Sequence, residues 1–117
     1  DRTVSYDESC LNVTWTGLVN TGDVGEAVSL SGWGDKTFMA FGAFTGAASV
    51  LIQGSNNGID WFGLSNRQGT NMTFTAGGMN TSQDKPIYVR PILTAGAGAL
   101  VSVAAACHRT DVSGMTR

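Results

Sequence analysis

The stretch Val50-Leu51-Ile52-Gln53-Gly54-Ser55-Asn56-Asn57-Gly58-Ile59-Asp60-Trp61-Phe62-Gly63-Leu64 constrains the fold of this chain more than any other. Branched and bulky side chains at Val50, Leu51 and Ile52 favour extended backbone, because they pack well on a pleated surface. Asn57-Gly58 is a strong signal for a tight turn, since Gly takes positive φ without steric cost and Asn tolerates it better than most residues. The chain then returns with Ile59, Trp61 and Gly63 on one face and Asp60, Phe62 and Leu64 on the other. Trp61 is the largest apolar body of this hairpin, so its face is expected to be the core face.

The rest of the chain repeats the two-residue period of half-buried strands. Leu11, Val13 and Trp15 alternate with Asn12, Thr14 and Thr16. Asn20 to Gly25 reads as a loop, Ala27 to Leu30 as a short strand, and Gly32-Trp33-Gly34-Asp35 as a turn. Thr37, Met39 and Phe41 face one way along the next strand, and Phe38, Ala40 and Gly42 the other. Met72 and Phe74 mark a further strand, and Ala76 to Asp84 reads as loop. In the segment from Ile87 to Ile92, Pro91 removes a ladder donor, which predicts an edge strand or a bulge. Leu100 to Cys107 is the last strand. Roughly eight strands at this spacing predict an all-β antiparallel sandwich, of jelly-roll or immunoglobulin-like topology. The expected core includes Trp15, Val50, Ile52, Trp61, Phe74, Val101 and Val103. The division is a polar N-terminal arm or peripheral strand (1–9), one sandwich domain (10–109) and a polar C-terminal tail (110–117).

A chain of 117 residues buries roughly 65% of its unfolded surface as one domain. Its charged residues make up only 14%, against roughly 25% in an average soluble domain. A surface so poor in charge points to coverage by partners. The last strand sharpens this. Ala99, Val101, Val103, Ala105 and Cys107 form one apolar face, yet Leu100, Ser102, Ala104 and Ala106 on the other are nearly as free of charge. A strand with one wet face alternates apolar with polar. Either a loop or another subunit covers that second face, and Leu100, Ser102, Ala104 and Ala106 are taken as the candidate subunit or capsid interface.

Other chemistries find little support. A formal charge of −2, with no basic and aromatic interleaving, argues against nucleic-acid binding. No apolar run approaches the ~20 residues that span a bilayer. Cys10 and Cys107 are not spaced as a metal pair and read as buried free thiols, although pairing of the first and last strands would let them meet. The only histidine, His108, lacks a nucleophile and an orienting acid in any recognisable pattern, and no G-x-S-x-G elbow occurs. Asp23, Glu26 and Asp35 would converge only if neighbouring loops met, and their spacing matches no calcium loop. No catalytic residue, metal or cofactor is expected. Trp33, between two glycines, is the one aromatic suspected of stacking a ligand such as a sugar ring. Sequons at Asn12, Asn71 and Asn80 matter only if the chain is secreted. The first residue is Asp1, not an initiator Met, which leaves room for a leader upstream.

Gly22-Asp23-Val24-Gly25-Glu26, Gly54-Ser55-Asn56-Asn57-Gly58-Ile59-Asp60-Trp61 and Tyr88-Val89-Arg90-Pro91, followed by an Ala/Gly turn and a last strand of small residues, resemble the small virion proteins of tailed phages. Those are β-sandwich head decoration, or cement, proteins and related structural proteins. The resemblance spans residues 15–109. It implies a non-enzymatic protein on the capsid exterior, assembled in the host cytoplasm. Its partners would be the major capsid protein and copies of itself, with a trimer preferred. The alternatives are a phage tail or fibre component, or a carbohydrate-binding or adhesion module.

Overall fold

The computed structural model describes residues 2–6, 10–30, 35–66, 68–82, 84 and 86–108. They form ten strands and no helix: β1 (Arg2–Tyr6), β2 (Cys10–Leu18), β3 (Val28–Ser29), β4 (Asp35–Ala43), β5 (Ser49–Ser55), β6 (Phe62–Gly63), β7 (Thr73–Phe74), β8 (Gly78–Thr81), β9 (Tyr88–Ala95) and β10 (Leu100–His108). One sheet has the order β1-β2-β10-β4-β8. The other has the order β3-β9-β5-β6, with β7 also paired to β5.

The central hairpin explains this order. β5 turns back through β6 and β7, and its flanks then pair outward in sequence: β4 with β8, β3 with β9, β2 with β10. The chain is thus one long antiparallel ribbon whose tip is the hairpin. Successive rungs alternate between the two sheets, and β10 beside β4 and β9 beside β5 close the roll. That is a jelly roll, which decides between the two topologies left open by strand count.

The core lies between the sheets. Leu11, Val13, Trp15, Phe38, Ala40, Val101, Val103, Ala105 and Cys107 point in from the first sheet. Val28, Val50, Ile52, Phe74, Val89 and Leu93 meet them from the second. Trp15 is fully buried and donates from Nε1 to the Glu26 carbonyl at 2.6 Å. Gly25 makes that approach possible, since a Cβ there would stand 2.5 Å from Trp15 Cδ1 and 2.7 Å from the Pro91 ring.

Three expectations change. Trp61 is half-buried rather than in the core. The hairpin connection runs from Asn56 to Trp61, longer than a two-residue turn, so strand parity does not carry through it. The Arg90 guanidinium lies 4.1 Å from the Trp61 ring centroid, and Arg90 Nε donates to Gln53 Oε1. Residues 76–84, expected as loop, contain β8. Pro91 is neither at a free edge nor at a bulge. It pairs with Ile52 inside the sheet, and its other flank is covered by the 20–25 loop, where Gly25 N donates to the Pro91 carbonyl. The bulge on β9 falls between Leu93 and Ala95 instead. The first segment, read as an arm or a peripheral strand, supplies the edge strand β1, paired along β2, in agreement with the second of those readings.

Candidate functional site

The outer face of the first sheet is built from residues that alternate with the core set. Across β2, β10, β4 and β8 one rung reads Thr14, Ala104, Met39, Met79. The next reads Asn12, Ala106, Thr37, Thr81. Neither rung holds a charged residue. Beside them Ser102 pairs with Phe41, and Leu100 with Ala43. Small side chains on β10 leave a shallow trough of about 260 Å³, lined by Thr14, Met39, Met79, Ala104 and Ala106 among others. Its rims are apolar and wet: Met79 is 67% exposed and Leu100 66%. Met39 and Phe41 are also exposed. Titratable residues begin at the end rung, where His108 stands opposite Cys10 on one side and Asp35 on the other.

Of the four residues singled out from sequence, Leu100 is exposed and Ser102, Ala104 and Ala106 are half-buried. All four share this outer face. The sequence reading placed Met39 and Phe41 on one face of their strand but did not join them to β10. Met79 was missed altogether, because Gly77-Gly78 reads as a turn. The alternation of Met79 with Asn80 and Thr81 was its only signal.

Of the other candidates, the side chain of Asp35 lies outside the description. Asp23 spends one carboxylate oxygen on two main-chain donors, Val19 N and Asn20 N, each at 2.9 Å. Those bonds, from Asn20 first and then Val19, lower its pKa from the ordinary value of 3.8. Asp23 therefore holds the 20–25 loop shut. Glu26 lends its carbonyl to Trp15. Among the described residues no three of His, Cys, Asp or Glu come together as a cation site. Trp33 lies outside the described residues. Cys10 and Cys107 are both free thiols, Cys107 buried and Cys10 only partly so. Burial pushes the Cys107 thiol up to about 11, against the opposing pull of Lys36. Lys36 is itself buried beside Cys107 at the inner end of β4. Nothing in the sequence pattern announced a buried lysine.

No protein-family model matches the chain, and no curated protein sequence matches it. Solved structures do. The SPBc2 prophage-derived protein YomS superposes with a TM-score of 0.62 at 10% identity, over 88% of this chain and 98% of that one. An uncharacterized conserved protein with a double-stranded β-helix domain from Klebsiella pneumoniae superposes with a TM-score of 0.51 at 14% identity, over 93% of this chain and 76% of that one. At such identities the likeness is one of fold, and the fold this chain shares with them is the double-sheet β roll.

Proposed function

We propose that this chain is a structural protein of a tailed-phage virion, a capsid decoration protein that docks as a homo-oligomer on the outside of the head. The observation that carries the proposal is the uncharged outer face across β2, β10, β4 and β8. A monomer in water gains nothing from presenting Met39, Met79, Phe41 and Leu100 around a trough of small residues. A protein partner gains their burial, worth about 25 cal/mol per Å² of apolar area. The likeness in fold to a prophage-derived protein supports the phage setting. The mechanism is thermodynamic. A protein that binds only the assembled shell stabilises the shell by mass action and needs no catalytic residue. The partners proposed are the major capsid protein and further copies of the chain, a trimer by preference, with neither nucleic acid nor membrane involved.

The test mixes purified protein with phage heads that lack it. Co-sedimentation and a higher temperature of shell rupture are expected. Heads that neither bind the protein nor change their heat resistance would sink the proposal, and localisation to the tail by electron microscopy would move the chain to the tail-component reading.

A further inference from the structure

The end of the roll opposite the Asp23 loop carries a cleft unrelated to the uncharged face. It lies between the β5–β6 loop on one side and Asp84 and Pro86 on the other, and is an open cleft of about 630 Å³. That is the size range of small-molecule sites. Its lining includes Asn56, Asp60, Phe62, Gly63 and Asp84.

The wall formed by the loop is fixed before any ligand arrives. Ser55 Oγ accepts from Asn57 N and Gly58 N at 3.2 and 2.8 Å. Asn57 Oδ1 accepts from Ile59 N and Asp60 N at 2.8 and 2.9 Å. Asn57 Nδ2 donates to Asp60 Oδ2 at 3.0 Å, which orients that carboxylate. On the opposite wall Ser65 N donates to Asp84 Oδ2 at 2.7 Å. A carboxylate accepts about four hydrogen bonds, so one internal bond orients each group and leaves acceptor capacity. Asn56 Oδ1 accepts from Ile87 N, which fixes the flip of that amide and leaves its two N–H groups as donors. Phe62 presents its ring at the rim, 73% exposed. Gly54 lets the floor close, for a Cβ there would strike Leu64 Cδ2 and Pro86 Cγ, both at 2.6 Å.

Two oriented carboxylates, an amide donor and an exposed aromatic face define the ligand chemistry. The two carboxylates of the lining, Asp60 and Asp84, repel an anionic ligand. Carboxylates accept from hydroxyls, the amide donates to one, and the aromatic ring covers an apolar C–H face. We propose that the cleft bounded by Asn56, Asp60, Phe62 and Asp84 binds a neutral saccharide, with the pyranose ring against Phe62 and its hydroxyls on the two carboxylates. The site is independent of the shell-docking face, on the other sheet. It also differs from the turn at Trp33 that the sequence suggested.

The test is a titration of the labelled full chain, followed by amide resonances, with four neutral hexasaccharides built from glucose, N-acetylglucosamine, mannose and galactose. At least one is expected to give saturable shifts at Asn57, Asp60, Gly63 and Ser65, with a dissociation constant below about 10 mM. Phe62→Ala should weaken it about tenfold, or 1.4 kcal/mol, and Asp84→Asn should do likewise. Both variants should keep the parent melting temperature, since Phe62 is exposed and Asn retains an acceptor for Ser65 N. Absence of saturation with all four sugars overturns the proposal. So does undiminished affinity in Phe62→Ala, and so does calcium chloride moving these amides when no sugar does, which would mark a cation site. Failure of the head-binding experiment leaves this result untouched, and the reverse holds.

Discussion

Trp15 and Trp61 show how the same side chain serves different ends. Trp15 is enclosed by both sheets and tied to the Glu26 carbonyl. Removing it opens a large cavity, so Trp15→Ala should cost about 3–5 kcal/mol in urea unfolding. Trp61 rests half-exposed against Arg90. An exposed cation–π contact is worth about 0.5–1 kcal/mol, so Trp61→Ala should cost well under half as much as Trp15→Ala. Equal losses for the two would contradict the assignment. The alternation Leu11, Val13, Trp15 made the first tryptophan legible, since strand parity holds there. It failed for Trp61 because parity is lost through the Asn56 to Trp61 connection. The thiols offer a second check. With its pKa near 11, Cys107 is thiolate to about one part in a thousand at pH 8, and it is buried besides. Iodoacetamide on the native protein should therefore label Cys10 and spare Cys107, with both labelled in denaturant. The sign of the linkage follows. A thiol whose pKa is raised on folding stabilises below its ordinary value of 9.0, and that stability drains away as pH climbs toward about 11. Cys107→Ala should flatten this alkaline decline.

At the scale of elements, the loop of residues 20–25 stands in for a missing strand. β3 covers only Val89 and Tyr88 of β9. Further along β9, Gly22 N donates to the Leu93 carbonyl, Leu93 N to the Asp23 carbonyl, and Gly25 N to the Pro91 carbonyl. Pro91 is tolerated in the sheet interior because its nitrogen faces this loop, where no ladder donor is required of it. The sequence predicted an edge strand or a bulge at Pro91, and the flank there lacks a strand although it is not free. What it could not show was a loop supplying the ladder bonds in its place, since those bonds come from main chain and leave no residue pattern. Asp23 keeps the loop in position, and its carboxylate pKa is lowered by the N–H groups of Asn20 and Val19. A depressed carboxylate stabilises fully above its unfolded value and loses that contribution as pH falls through the folded one. The carboxyl resonance of Asp23 should accordingly titrate with a midpoint below 3.8. In Asp23→Asn the acid limb of the stability profile should become shallower. A midpoint at or above the ordinary value would show that the loop is not held in this way. β8 went unread for a related reason. Gly77 and Gly78 mark a turn by composition, and only pairing with β4 makes Gly78–Thr81 extended.

For the whole molecule, the ribbon topology turns local alternation into two different surfaces. Rolling brings β2, β10, β4 and β8 side by side, so outward residues far apart in sequence become one face. Ser102, Ala104 and Ala106 were legible as uncharged, but the apolar rim of Met39, Phe41 and Met79 exists only once β4 lies between β10 and β8. The low charge of the chain, 14%, is thus partly concentrated into one face free of charge over two full rungs. A specific contact there should bury about 1,200–2,000 Å² in total. If that face joins copies of the chain, light scattering should show association at high micromolar concentration. Met79→Glu and Ala104→Glu should each abolish it. A carboxylate cannot be buried unpaired without a cost of several kcal/mol. Both positions point away from the core, so the melting temperature of the isolated chain should stay near that of the parent. Association that survives both substitutions would place the contact elsewhere on the roll. A parent that scatters as a monomer throughout would remove the homo-oligomer. The shell alone would then be left as the partner for this face, and the same two variants should fail to co-sediment with heads.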